Sequence, residues 1–316
     1  MSLIPYITAE EIKNALPMRR AIDIMRNAFR ALGENRVTMP VRTRIYSDKG
    51  VTLFMPALIK NETGGQLGQK VVSVFGGNRD KGLPVIHGIV IVIDAMTGQP
   101  RALLDGMYLT QLRTGAVTGL ATEMLSKQDA KTLTVFGAGG QAEQQIEAVL
   151  ATRPIEHITI ISRSDSSRAL CERLQAQDKT RRYEWTNERE RATRQADVIV
   201  TTTTSTEPLF DGAWVKHGAH VNAIGAYRPD MREVDATLLN RADVFVDQRE
   251  AALEEAGDLL IPNENNEWSL SNIKGELSEL VLGNIIPDTT RTTFFKSCGL
   301  AVEDIAAASA VVDALS

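Results

Sequence analysis

Apolar residues recur at helical spacing through the first thirty positions. Thr8 and Glu11 form a T-x-x-E capping box that opens a helix running to Ala15 and Leu16. Ile22, Met25, Ala28 and Phe29 share one face of a second predicted helix over 18–32. Beyond it the period shortens. Runs at 43–46, 51–55, 68–74, 86–94 and 102–105 read as strands, with 75–84 as a surface turn rich in Gly, Asn and Asp and 94–98 as a short turn. A further helix is predicted from Tyr108 through Glu123.

At Lys131 the grammar changes. Short apolar runs at 133–136, 158–161, 198–202, 221–224 and 244–246 alternate with helical stretches. That alternation is the mark of a parallel, doubly wound α/β sheet, whose strands are buried on both faces. The tail over 302–315 is helical again, rich in Ala and Val, and is expected to pack on the first domain or on a partner chain. The division that follows is a smaller α/β domain for substrate binding and dimerisation (1–123 with 300–316) and a Rossmann-type dinucleotide-binding domain (124–299).

Composition narrows the function. The 316 residues are 43% hydrophobic and 24% charged, which is ordinary for a globular protein with a sizeable core. A net charge of -5 disfavours nucleic acid as a partner. The most apolar run, Gly88 to Ile93, is too short to span a bilayer, and the amino terminus lacks the basic and apolar regions of a signal peptide. Two cysteines, Cys171 and Cys298, and four scattered histidines predict neither a disulfide framework nor a metal site. The expected setting is the cytoplasm, away from membranes.

The segment Thr132-Leu-Thr-Val-Phe-Gly137-Ala138-Gly139-Gly140-Gln141-Ala142 runs a strand into G-x-G-x-x-A and then a helix. Gly137 permits the tight turn, and Gly139 lets a pyrophosphate approach the main chain at a helix N-terminus. At the end of the next strand, 23 residues past Gly139, stand Ser162, Arg163 and Ser164. An NAD enzyme usually places an acid there; a guanidinium with two hydroxyls suits a 2′-phosphate, so NADPH is favoured and NADH allowed. Asp165 stands close enough to weaken that preference, and Ser164 or Asp165 could instead cap a helix. Thr202 and Thr203 end a strand at its carboxyl edge, where such sheets bind ligands.

Three cations stand out in the first domain: Arg42, Lys70 and Arg113. Lys70 and Arg113 sit in apolar or small-residue surroundings, where a charge is costly without an anionic partner. Together with Pro40-Val-Arg-Thr, Phe54-Met-Pro-Ala, the 105–116 segment, the Gly137 loop, and the 222–235, 250–258 and 295–304 segments, they resemble the ornithine cyclodeaminase/mu-crystallin family over almost the whole chain. The resemblance implies that Arg42, Lys70 and Arg113 hold a substrate carboxylate. It also implies that Thr114, Ile224 and Gly225 lie on the cofactor, with Arg113 and Tyr227 counted beside them, and that Lys296 and Ser297 close over the nicotinamide side. It implies a homodimer joined through the first domain.

One position departs from the lyase branch. Ornithine cyclodeaminases carry an aspartate where this chain has Tyr227, and a phenol with a pKa near ~10 does not replace a carboxylate base at neutral pH. The resemblance therefore points to reduction of a small cyclic imino acid: Δ1-pyrroline-2-carboxylate to L-proline, or Δ1-piperideine-2-carboxylate to L-pipecolate. The acid that protonates the ring nitrogen is either Lys70 or a water held by Lys70 or His87, the latter lying in the strand Ile86-His-Gly-Ile. Alternatives are an alanine dehydrogenase, an ornithine cyclodeaminase and a mu-crystallin-like protein that binds NADPH and a small ligand.

Overall fold

The protein is described by a computed structural model covering residues 3–62 and 64–316. Met1 and Ser2, the start of the segment read for a signal peptide, lie outside the described residues. The chain divides into two compact units, Met1–Ala116 with Leu300–Ser316, and Val117–Gly299.

In the first unit β1 (Tyr6–Ile7) is followed by α1 (Ala9–Ala15) and α2 (Met18–Gly33), then by β2 (Val37–Thr38), β3 (Thr43–Ser47), β4 (Gly50–Ile59), β5 (Gln66–Val74), β6 (Ile86–Asp94) and β7 (Pro100–Asp105). The capping box forms: the Glu11 amide donates to Thr8 Oγ1 at 3.3 Å and the Thr8 amide donates to Glu11 Oε2 at 2.8 Å. The sheet order is β1-β7-β6-β5-β4-β2, with β3 also on β4; β4 to β7 form an antiparallel meander. Strand β4 continues four residues past its expected end at Met55, through Pro56. On one side Pro56 faces Gln69 of β5; on the other it falls in the gap between β3, which pairs with β4 as far as Phe54, and β2, whose pairing with β4 begins at Leu58. A residue without an N–H is tolerated where a neighbouring strand is missing.

The C-terminal helix (Ala301–Leu315) packs on β4, β5, β6 and α2 of this same unit. It is buried from Ala301 through Val312, as a helix apolar on every side must be. Close approach to the sheet depends on Gly68, where an added Cβ would lie 2.9 Å from Ile305 Cδ1 and 2.4 Å from the Ile91 carbonyl.

α3 (Gly106–Leu125) leads from β7 into the second unit. Its C-terminal carbonyls are capped by the buried Arg153, whose Nη2 donates to Thr122, Glu123 and Ser126 at 2.7–2.9 Å. There follow β8 (Thr132–Phe136), α4 (Ala142–Leu150), β9 (His157–Ile161), α5 (Ser166–Gln177), β10 (Arg182–Trp185), α6 (Arg189–Gln195), β11 (Val198–Thr201), β12 (His220–Ala223), α7 (Ala236–Arg241), β13 (Asp243–Val246), α8 (Arg249–Glu255), α9 (Gly257–Glu264), β14 (Ile273–Glu276), α10 (Leu277–Leu282) and β15 (Thr293–Lys296).

Their eight-stranded sheet runs β10-β9-β8-β11-β12-β15-β13-β14, with every pairing parallel. Apolar clusters bury it. This is the doubly wound, Rossmann-type architecture. The chain winds outward from β8 to β9 and β10, then returns to β11 on the other side, so the topological switch lies between β8 and β11. Strands β10, β14 and β15 escape a reading by apolar runs. Two are polar edge strands, and the central β15, Thr-Phe-Phe-Lys, ends on a charge.

Candidate active site

Two constellations stand out, one in each unit. In the second, β8 ends at the glycine loop on the switch. Gly137 has φ +107°, and a Cβ there would meet Thr202 Oγ1 at 2.5 Å. Thr202 is drawn to the same strand end, its amide donating to the Phe136 carbonyl at 2.8 Å. At Gly139 an added Cβ would meet nothing within 4 Å, so the main chain presents a bare face. Gln141 precedes α4 without a side-chain cap, leaving that helix start to other acceptors. A bare glycine face beside an uncapped helix start fits a dinucleotide pyrophosphate. Ala138 and Gly140 complete the loop.

At the end of β9, Ser162 is already engaged: its hydroxyl donates to the Ser164 carbonyl at 2.6 Å and accepts from the Ser167 amide at 3.1 Å. Ser164 Oγ lies 2.9 Å from Ser166 Oγ. Asp165, at the start of α5, makes no side-chain cap. Arg163 is exposed and has no ion-pair partner among the described residues.

The far side of the switch holds what the sequence reading missed. Glu233, fully buried, accepts from the Thr203 amide (2.6 Å) and hydroxyl (2.8 Å), the Thr201 hydroxyl (2.8 Å), the Gly225 amide (2.8 Å) and the Ala226 amide (3.2 Å). The Glu233 and Val234 amides donate to Asp258 Oδ1 at 2.6 and 3.1 Å, and Asp258 Oδ2 lies 2.9 Å from Lys296 Nζ. Burial and the neighbouring Asp258 push the Glu233 carboxyl up; Lys296 and the Thr203 donors pull it back. Burial pulls the Lys296 ammonium down, but Asp258 and the acids around it outweigh burial and hold it above its usual range.

This corrects one expectation. Lys296 and Ser297 do not present their side chains to close over a ligand. Lys296 is consumed by Asp258, and Ser297 Oγ donates to Asp247 at 3.1 Å, both buried. Ile224 is buried at the exit of β12, and Tyr227 is exposed in the loop beyond it. A lysine ending an apolar strand was a signal that a counter-ion existed; nothing local named Glu233 or Asp258.

In the first unit, Lys70 on β5 and Arg113 on α3 are 3% and 5% exposed. Their anionic partners are internal, from the first turn of the C-terminal helix. Asp304 Oδ2 lies 2.6 Å from Lys70 Nζ, and Asp304 Oδ1 accepts from Arg113 Nε at 2.9 Å. Glu303 Oε2 takes Arg113 Nη1, while its Oε1 accepts the Leu300 amide at 3.1 Å. Burial lowers the Lys70 ammonium to about 8, with Arg113 adding to the effect and Asp304 opposing it. For Arg113 burial also pulls downward, but Asp304 and Glu303 together outweigh it and raise the guanidinium further. Arg113 is thus a fixed charge and Lys70 an adjustable one. Thr114 is buried next along α3.

Register places the remaining candidates. Met55, Lys70, Val90 and Leu104 oppose one another across β4 to β7, and all four are buried. Arg42 directly precedes Thr43, which pairs with Phe54, so it stands level with Met55 and Lys70 at the sheet's edge, half-buried. His87 pairs with Ser73, three residues from Lys70. Alternation puts it on the opposite face, where it is exposed. Lys70 and His87 therefore do not share a pocket wall on this sheet.

Residues 6–316 match the model of the ornithine cyclodeaminase/mu-crystallin family. The chain belongs to that family. Among its members, a Δ1-pyrroline-2-carboxylate reductase of Bacillus cereus is 37% identical over 305 residues, 95% of this chain and 93% of the relative. The mouse ketimine reductase mu-crystallin is 33% identical, over 98% of this chain and 97% of its own. The structure of Thermococcus litoralis Δ1-pyrroline-2-carboxylate reductase in complex with NADH and L-proline superposes with a TM-score of 0.93 at 30% identity, covering 98% of this chain and 97% of that one.

Proposed function

We propose that this chain is an NAD(P)H-dependent oxidoreductase that reduces the C=N bond of a small cyclic imino acid, with Δ1-pyrroline-2-carboxylate as substrate and L-proline as product. The observation that carries this reading is the full-length likeness to the Thermococcus protein held with NADH and L-proline. The likeness to the mouse ketimine reductase supports reduction of a C=N bond, and the six-membered Δ1-piperideine-2-carboxylate is the second substrate in this reading.

In this reading the glycine loop Gly137 to Gln141 holds the pyrophosphate, and Thr202, Thr203, Ile224, Gly225 and Tyr227 line the rest of the cofactor. The bound dinucleotide supplies the hydride. Ser162, Arg163 and Ser164 take the adenine ribose, and the exposed Arg163 supports NADPH over NADH. Arg42, Lys70 and Arg113 receive the substrate carboxylate. Glu303 and Asp304 already balance Lys70 and Arg113, and Arg42, half-buried and level with Lys70 at the sheet's edge, adds a third positive charge for the incoming acid. Arg113, held firmly protonated, orients the carboxylate. Lys70 is charged at neutral pH yet gives up its proton far more readily than an ordinary lysine, which suits it to protonate the ring nitrogen. His87, on the other face, has no part in that transfer.

The chain acts in the cytoplasm, in proline metabolism, as a homodimer. The support for the dimer is the apolar residues Ile45, Tyr46 and Ile89 left exposed on the strands of the first unit.

Steady-state rates with five- and six-membered cyclic imines, each with NADPH and NADH, test the reading. NADPH oxidation with the imine is expected. Robust ammonium-dependent oxidation with pyruvate and none with the imine makes the chain an alanine dehydrogenase instead. Lys70→Ala is expected to abolish turnover while leaving NADPH affinity within about twofold. Parallel loss of both in a folded variant removes Lys70 from the substrate site.

A further inference from the structure

The exits of β11 and β12 are held together by a single buried carboxylate. A Cβ on Gly225 would lie 2.1 Å from the Thr203 carbonyl oxygen and 2.6 Å from Glu233 Oε1, so the two strand exits touch with no room for a side chain. Beneath them Glu233 gathers five donors, three of them backbone amides, from Thr201, Thr203, Gly225 and Ala226. Glu233 is itself held in place through its own amide by Asp258, and Asp258 by Lys296. The Lys296 ammonium returns to β12 by donating to the Ala223 carbonyl at 3.3 Å. The circuit closes on the strand from which it began, and Glu233, Asp258 and Lys296 are all fully buried.

None of these three groups is free to touch a ligand, but the segments they fix lie beside the glycine loop. A Cβ on Gly137 would strike Thr202, the residue between two of Glu233's donors. In a doubly wound sheet the dinucleotide straddles the switch, with its adenine half over β9 and its other half over β11 and β12. We propose that Glu233, braced by Asp258 and Lys296, is a positioning residue that shapes the wall formed by Thr203, Gly225 and Ala226 for the nicotinamide half of the cofactor. This rests on the dinucleotide reading given above. It separates the labour of the two strand pairs: the β8–β9 side binds the adenine half without Glu233, and the β11–β12 side binds the nicotinamide half through it.

Glu233→Gln tests the assignment. A carboxamide turns one acceptor oxygen into an NH2 donor aimed at amides that also donate, which pushes apart the strand exits. Calorimetric titration of the full-length protein with NADPH and with 2′-phospho-ADP-ribose reads the two halves separately (NADH and ADP-ribose if wild type prefers NADH). NADPH affinity is expected to fall about tenfold or more, with fragment affinity unchanged within about twofold. Thr201→Val, which deletes one of Glu233's donors at a fully buried residue that does not line the cofactor, is expected to lower NADPH affinity about threefold with the fragment again unaffected, and it decides the matter if Glu233→Gln fails to fold. Parallel losses for cofactor and fragment, or no loss for either, overturn the positioning role while leaving the dinucleotide reading intact. A wild-type chain that binds neither dinucleotide nor fragment overturns that reading itself, and the assignment with it.

Discussion

Lys70 shows how the environment converts an ordinary side chain into a reagent. Its ammonium is removed from water on the inner face of a sheet, with Arg113 nearby, and only Asp304 and Glu303 keep it charged near neutrality. Proton donation requires the ammonium, so its contribution is present below pH ~8 and is lost as pH rises through that value. The kcat profile of imine reduction is therefore expected to fall on its alkaline side with a midpoint near 8. Asp304→Asn removes the nearest anion, the group that raises Lys70, so the midpoint is expected to move to lower pH. The same change leaves buried cations under-compensated, with an expected stability loss of about 3–5 kcal/mol by chemical denaturation. An unmoved midpoint in the folded variant separates Asp304 from the titrating group. The sequence identified Lys70 and Arg113 because each stood in apolar company. It required an anionic partner for each without naming one, and the C-terminal helix supplies Asp304 and Glu303.

At the scale of elements, the glycine loop is the feature most legible from sequence, because a tight turn and a close main-chain approach each exclude side chains. The structure distinguishes the two glycines. A side chain at Gly137 would collide with Thr202 and meet a strained φ, whereas one at Gly139 would enter open space. Gly139→Ala is expected to unfold within about 1 kcal/mol of wild type while NADPH affinity drops about tenfold or more, read by denaturation and by titration. A variant that binds NADPH normally takes the pyrophosphate away from this loop. The apolar run predicts a strand that ends at Met55, whereas β4 continues through Pro56 to Ile59. Its true extent depends on which neighbours are missing beside Pro56, a fact of sheet order that no local pattern carries.

For the whole molecule, the first unit is assembled from the two ends of the chain. Its helical cover over β4, β5 and β6 comes from the C-terminal helix, and so do both carboxylates that balance Lys70 and Arg113. Truncation after Gly299 is expected to expose the apolar face of that sheet and strand two buried cations. The shortened chain should lose the cooperative unfolding of the first unit and aggregate on purification. A truncated chain that stays monodisperse with native circular dichroism contradicts this account of the helix. The bare sequence offered the first domain or a partner chain for this helix. Its apolar residues on every side required burial but could not name the surface.

The sequence alone determined what depends on near neighbours in the chain: the capping box at Thr8, the βα alternation after Lys131, the glycine turn, and two cations too costly to bury unpaired. Hydrogen-bond geometry and side-chain period act over a few residues, so they leave a local trace. Tertiary structure decided the long-range pairings. It matched Lys70 with Asp304 and Lys296 with Asp258, gathered five donors on Glu233, and put His87 on the face away from Lys70. A buried charge demands a partner but does not say which one, since Coulomb attraction carries no address along the chain. Only the packing of strands and helices brings a specific carboxylate within reach.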